Sequence, residues 1–323
     1  MDSITPKIIS PEELHQLLAD SSSRVIPLDV SLVYPPASEY VQHLNERIPG
    51  SKFFSMKLYA AENPNKLTIM LPTPGKFTAI MRRLGINRDD HLVCYDVLGF
   101  WTPARGAWML KVFGHQKVSV LNGGLPAWKA KGYDTVSGTY PAAVPSIYPL
   151  VQVDKSLIAD YSEVVSSDSK HIIIDTRPDE EYSDIGHIPG AVSLPFARLL
   201  AGPPPDNMCL LPLENCRDII SSIVGEDILK PAGPPVISSC GWGVTACILW
   251  LILQNYGVRV TVFDESWEGY EMRAGNPIEK GKPGVDLHSA GATTGTTSFP
   301  ELQIPISSLP DDGTPFVNEP EAE

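Results

Sequence analysis

Apolar residues along the chain gather into short runs instead of spreading evenly. Val25 to Asp29, Leu92 to Asp96, Val118 to Leu121, Ile172 to Asp175, Val236 to Ser239 and Val258 to Phe263 are built mainly from aliphatic and β-branched residues. Runs this short and continuous predict strands buried on both faces, as in a parallel sheet covered by helices. Between them lie stretches with helical spacing, chiefly Thr102 to Gly114 and Thr245 to Gly257. Ser10-Pro11-Glu12-Glu13 reads as a capping box with proline in the first turn, and Thr73-Pro74 as a second helix start. The alternation predicts an α/β fold whose ligand sites lie beyond the C-terminal strand ends.

The same order of motifs occurs twice. A strand ending in Asp29 is followed by Arg47-Ile48-Pro49-Gly50-Ser51, and one ending in Asp175 by His187-Ile188-Pro189-Gly190-Ala191. Each copy then has a strand, a helix and a further apolar run, closed by Asn122-Gly123-Gly124 in the first and Asp264-Glu265-Ser266 in the second. The chain is therefore expected to hold two copies of one α/β domain, over 1–139 and 153–285. Residues 140–152, which include the proline-broken stretch Tyr140 to Pro149, read as a linker, and 286–323 as a C-terminal tail.

Length and composition agree with two cores: 323 residues at 43% hydrophobic content suit two domains. Lys and Arg total 25 against 38 Asp and Glu, a net charge of -13, which argues against a direct nucleic-acid partner. Small anionic substrates remain compatible, because local dipoles govern a pocket more than net charge does. The longest purely apolar run, Ile248 to Leu253, is far too short to span a membrane. The first residues show no leader pattern, which makes the cytoplasm the expected compartment. Cys94, Cys209, Cys216, Cys240 and Cys247 form no paired CxxC clusters, against both a disulfide scaffold and a structural zinc site.

The segment richest in chemistry is Ser239-Cys240-Gly241-Trp242-Gly243-Val244-Thr245-Ala246-Cys247. A strand ends just before Cys240 and a helix begins near Thr245, so the thiol is expected in a tight loop between them. Backbone N–H groups converging there, with the helix dipole, favour a thiolate nucleophile. Gly241 and Gly243 permit turns that side chains would obstruct, and Thr245 is placed to cap the helix and donate to a sulfur anion. A phosphatase would use the same strand-Cys-loop-helix order with arginine six positions after the cysteine, but position 246 is alanine. Cys247 reads either as core or as a resolving thiol.

The cysteine loop, the two Ile-Pro-Gly signatures, Asn122-Gly123-Gly124-Leu125-Pro126-Ala127-Trp128 and the duplicated layout together resemble the tandem rhodanese family of sulfurtransferases over about residues 8–275. Cys240 to Cys247 is particularly similar to the loop of 3-mercaptopyruvate sulfurtransferases, with Trp242 where serine is usual. The resemblance implies two rhodanese-like domains, a persulfide on Cys240 as the catalytic residue, and no metal or organic cofactor. It implies a small anionic sulfur donor, 3-mercaptopyruvate or thiosulfate, and an acceptor that is a small thiol, cyanide, thioredoxin or a protein cysteine. Alignment back from Gly257 and Gly114 sets Val97 opposite Cys240, so the first copy is expected to be silent. Two other classes fit the same family: a sulfur-relay protein serving a partner in tRNA thiolation or cofactor synthesis, and an inactive binding module. Free-donor turnover separates the first from the relay.

Candidate donor-binding residues follow from position. Arg177, two residues after Asp175 at a strand end, either faces the cleft to hold an anionic donor or pairs with Asp179 or Glu180. Arg47, Asp96 and Arg105 either line the interdomain cleft or include a structural Asp96–Arg105 pair, and Arg273 is a further cleft candidate. His187 is expected to fix its loop by hydrogen bonding. Relatives specific for mercaptopyruvate carry an arginine-bearing insertion before His-Ile-Pro-Gly, whereas Pro178 to Gly186 is short; thiosulfate-type relatives carry basic residues in the loop, and Gly241-Trp242-Gly243 has none. Trp242 either covers the sulfur pocket and limits donor size or anchors the loop against the other domain.

Overall fold

The computed structural model describes residues 5–32, 46–63, 65–138, 142–166, 170–202, 207–230 and 232–281. The C-terminal tail expected from the sequence lies outside them. The apolar runs form strands as their continuity predicts. In the first copy β1 (Lys7–Ile9), β2 (Val25–Asp29), β3 (Lys52–Phe53), β4 (His91–Tyr95) and β5 (Val118–Leu121) make a parallel sheet in the order β1-β5-β4-β2-β3. In the second, β6 (Ile158–Ala159), β7 (Ile172–Asp175), β8 (Val192–Ser193), β11 (Val236–Ser239) and β12 (Val260–Phe263) repeat it as β6-β12-β11-β7-β8. A short antiparallel ribbon, β9 (Leu200–Ala201) with β10 (Cys209–Leu210), is inserted between β8 and β11.

The first sheet is flanked by α1 (Pro11–Ala19), α2 (Met56–Tyr59), α3 (Pro74–Arg83), α4 (Pro103–Val112) and α5 (Gly124–Ala130), the second by α6 (Tyr161–Val165), α7 (Leu213–Val224), α8 (Ala246–Asn255) and α9 (Ser266–Glu271). The capping box is present at α1: Ser10 Oγ accepts from Glu13 N at 3.2 Å, while Ser10 N donates to Glu13 Oε2 at 2.7 Å. Thr73 Oγ1 accepts from Lys76 N at 3.3 Å to start α3.

Every residue of α4 is buried, as is α8 from Ala246 to Leu253. A helix apolar all round must be covered all round. The two copies supply that cover for one another, packing α4 against α8 within one apolar core shared by both. The residues between the two copies pack on the first. Tyr148 is buried with its hydroxyl 2.8 Å from His115 Nδ1, Arg82 Nε donates to Tyr148 O at 2.7 Å, and Asp154 N donates to Val112 O at 2.8 Å. From Val144 to Asp154 the chain is thus a strap bound to the first copy.

Each copy also sends the segment after its third strand across to the other. From the first copy, Thr68 donates N–H and hydroxyl to the two oxygens of Glu268 at 3.0 and 2.6 Å, and Leu71 N donates to Asp264 Oδ2 at 3.0 Å. From the second copy, Met208 N donates to Leu98 O at 3.2 Å, and Leu210 exchanges two hydrogen bonds with the side-chain amide of Asn122, at 2.7 and 3.1 Å. The loop beyond β4 and the segment beyond β12 are each braced by the partner copy. No helix among the described residues is long and apolar enough to cross a membrane.

Candidate active site

Cys240 follows β11 directly, and the backbone on both sides of it is fixed. Thr176 N donates to Ser239 O and Trp267 N to Cys240 O, each at 2.9 Å. Cys240 N donates to Ser266 Oγ at 3.2 Å, whose own proton goes to Phe263 O at 2.8 Å, and Ser266 Oγ stands 3.9 Å from Cys240 Sγ. Ser266 holds a left-handed backbone, φ 49°, to reach this place. The thiol side chain is buried, at 2% exposure.

After the cysteine the chain turns through Gly243 at φ 75°. A Cβ there would lie 2.7 Å from Asp264 O and 3.0 Å from Arg105 Nη1, so the position requires glycine. Gly243 O is held from outside the loop, accepting from Arg105 Nη1 at 3.2 Å and from Cys247 Sγ at 3.2 Å. Because C=O and N–H of one peptide plane point in opposite directions, this turns the next N–H, of Val244, away from Arg105. The N–H groups of Gly241, Gly243, Val244 and Thr245 find no acceptor among the described residues. They lie on the segment between Cys240 and the N-terminus of α8, and free N–H groups at a helix N-terminus attract negative charge.

Thr245 Oγ1 lies 3.1 Å from Thr176 Oγ1, which also reaches Ser239 O at 3.2 Å, so this hydroxyl ties the loop to β7. Cys247 faces away from any opening. Burial pushes its thiol up, against the pull of Arg105, so it stays a protonated donor to Gly243 O. Burial likewise raises Cys94, Cys209 and Cys216, the last to about 11. Trp242 is half-buried.

The donor-binding candidates are arranged differently from expectation. Arg177 is 2% exposed and paired with Asp175, Nη2 to Oδ2 at 2.6 Å, while Nη2 also reaches Gly186 O at 2.8 Å. Its guanidinium lies 4.5 Å from the centre of the Trp267 ring. A long side chain beginning beside a buried carboxylate turns inward to it, so Arg177 pairs with Asp175 instead of Asp179 or Glu180 and packs on Trp267, while its Nη1 makes no hydrogen bond among the described residues. Arg105 does not pair with Asp96. It crosses the domain boundary to Asp264, Nη2 to Oδ1 at 2.6 Å, and also donates to Ile69 O at 3.0 Å. Arg47 is buried and bonded to Gly138 O at 2.5 Å. Arg273 pairs with Glu265 Oε2 at 2.5 Å over the Tyr161 ring. His187 stacks on Tyr182 at 3.6 Å with Nδ1 2.9 Å from Tyr182 O, the architectural role expected of it.

Strand register corrects one alignment. Asp29 pairs with Tyr95 and Asp175 with Ser239, so the residue opposite Cys240 is Asp96 and not Val97. The next contacts agree, since Leu125 N donates to Asp96 O as Trp267 N does to Cys240 O. The corresponding loop of the first copy is one residue longer, which displaces an alignment counted back from the helix.

Ser266, Asp264, Thr176 and the Thr68–Glu268 contact escaped the sequence reading. The signal for the first two was their place just past the C-terminal end of β12, where parallel sheets gather ligand-side residues.

Comparison with known proteins agrees with this architecture. The rhodanese-like domain family matches the chain twice, over residues 10–131 and 159–273. A probable 3-mercaptopyruvate sulfurtransferase of Schizosaccharomyces pombe is 31% identical over 281 residues, 80% of this chain and 90% of that one. The thiosulfate sulfurtransferase of Rattus norvegicus is 32% identical over 276 residues, 80% and 89% of the two chains. Among solved structures, Tum1 of Saccharomyces cerevisiae superposes with a TM-score of 0.74 at 26% identity, covering 86% of this chain and 99% of that one. With two family matches that fall on the two sheets, and relatives that share both copies, the chain belongs to the rhodanese family as a tandem-domain member of its sulfurtransferases.

Proposed function

We propose that the second copy carries sulfur as a persulfide on Cys240 and that the first copy does not turn over. The observation that carries this reading is the cysteine at a parallel strand end, at the start of a loop whose N–H groups at Gly241, Gly243, Val244 and Thr245 find no acceptor among the described residues. Such donors favour an anion on the sulfur, both as thiolate and as persulfide.

With thiosulfate, the Cys240 thiolate attacks the outer sulfur, the S–S bond breaks, and sulfite leaves with the electron pair. With 3-mercaptopyruvate the C–S bond breaks, and the departing enolate of pyruvate takes a proton. A second nucleophile, a small thiol, cyanide, thioredoxin or a protein cysteine, then attacks the outer sulfur and returns the thiolate. The protein supplies orientation, desolvation and N–H donors. Because Arg47, Arg105, Arg177 and Arg273 are engaged elsewhere, the donor's charge falls to the loop donors and the dipole of α8.

Incubation with either donor followed by peptide mass analysis is expected to show one added sulfur on Cys240 and none in Cys240→Ser. Persulfide surviving undiminished in Cys240→Ser overturns the assignment. Comparing kcat/KM for thiosulfate and 3-mercaptopyruvate then assigns the donor. Negligible turnover of both, with sulfur still passing from the loaded protein to a partner, selects the relay reading.

A further inference from the structure

In the first copy the loop beyond β4 closes on the carboxylate of Asp96. Its Oδ1 accepts from Leu98 N at 3.2 Å and Gly99 N at 2.6 Å, and its Oδ2 from Trp101 N at 2.9 Å, Thr102 N at 2.8 Å and Thr102 Oγ1 at 3.1 Å. Asp96 is 1% exposed and forms no ion pair among the described residues, so these bonds are what compensate its burial. Burial holds the carboxyl above its ordinary range, a rise that the N–H groups of Thr102, Trp101 and Gly99 only partly offset. Four of the five contacts are backbone N–H groups, two on each oxygen, which can only donate, and such a donor set fits the ionised form.

Strand register sets Asp96 opposite Cys240. An aspartate oxygen is as many bonds from Cα as the outer sulfur of a cysteine persulfide. Both loops run from a strand end to the buried N-terminal part of a helix, α4 in the first copy and α8 in the second. They differ in what satisfies their N–H groups, which in the first copy is a side chain of the loop itself.

We propose that Asp96 is the built-in occupant of an anion cradle in the first copy, standing where the second copy carries its reactive sulfur, and that with the carboxylate removed this cradle takes up a small carboxylate from solution. The equation of Asp96 with a persulfide rests on the function proposed above. The occupied cradle does not, and its test involves no sulfur chemistry.

The test compares Asp96→Ala with the wild-type protein by thermal melting in sodium formate and in sodium chloride at equal ionic strength. Asp96→Ala is expected to melt well below wild type in chloride and to gain about 2–4 °C or more in formate, with wild type unmoved. Asp96→Asn, which keeps the side-chain volume and leaves no room, is expected to be destabilised without a formate response. Where Asp96→Ala is recovered only unfolded, refolding yield in formate against chloride reads the same equilibrium. The proposal is overturned by equal formate shifts in Asp96→Ala and wild type, by a response as large in Asp96→Asn, or by no formate-specific gain in either stability or yield.

Discussion

Replacing Arg105 by methionine tests whether the first copy builds the cysteine loop of the second. The guanidinium is 1% exposed and holds Asp264 at 2.6 Å, Gly243 O at 3.2 Å and Ile69 O at 3.0 Å, with the Trp108 ring 4.6 Å from its carbon. Methionine fills much of the volume but leaves the Asp264 carboxylate, only 7% exposed, without its cation. Breaking one side of a buried pair costs about 3–5 kcal/mol, and two carbonyls losing charged donors fall within that figure. Removing both charges together, in Arg105→Met with Asp264→Leu, should recover part of the loss, because no stranded charge is left. A coupling energy of roughly 2 kcal/mol or more is therefore expected from denaturant melts of the two single variants and the double. Activity should fall further than stability predicts, since Gly243 O is no longer held and the Val244 N–H loses its aim; a misplaced donor of this kind costs about tenfold or more in kcat. Single-variant melts within about 0.5 kcal/mol of wild type, or a coupling energy near zero, would refute the reasoning.

Gly243→Ala should lose both stability and turnover, because the added methyl meets Asp264 O at 2.7 Å with φ at 75°; unchanged melting and kcat would show that the loop relaxes freely. His115 is wholly buried between Tyr148 OH and Asp90 O, and burial lowers its pKa to about 4. The unfolded chain, with its histidine near 6.5, binds a proton that the folded one refuses, so stability is expected to decline as pH falls from about 6.5 through 4, by up to ~3 kcal/mol. Denaturant midpoints across that window should slope for wild type and flatten for His115→Gln; identical slopes assign the effect elsewhere. Arg177→Ala is expected to cost about 3–5 kcal/mol by stranding Asp175, whereas an intact melt with a raised donor KM would return it to donor binding. Trp242→Ser should alter the ratio of thiosulfate to 3-mercaptopyruvate kcat/KM, and equal change for both donors would make Trp242 a loop support only.

The duplication was legible because the strands are continuous apolar runs and the helices between them keep their spacing, features that depend on local sequence alone. The cysteine loop was legible for a related reason: its place between strand and helix follows from its neighbours. The arginines were not. Arg177 and Arg105 each extend several bonds from the backbone, and the partner that captures them, Asp175 in one case and Asp264 across the domain boundary in the other, is set by burial. The identity of the residue opposite Cys240 also escaped, because a single extra residue in the loop of the first copy leaves the helix alignment intact while moving the strand end by one. Pairing across the sheet is a fact of register, which no count along the chain contains.

The crossing of Thr68 and Leu71 onto Glu268 and Asp264, answered by Met208 and Leu210 on Leu98 and Asn122, has a consequence for how this gene can change. A duplicated domain ordinarily frees one copy to be lost or moved, yet here each half has delegated part of its own loop to its sibling. Excising the first half would strip the second of the arginine and the backbone donors that brace it, so the smallest heritable unit with this chemistry is the pair.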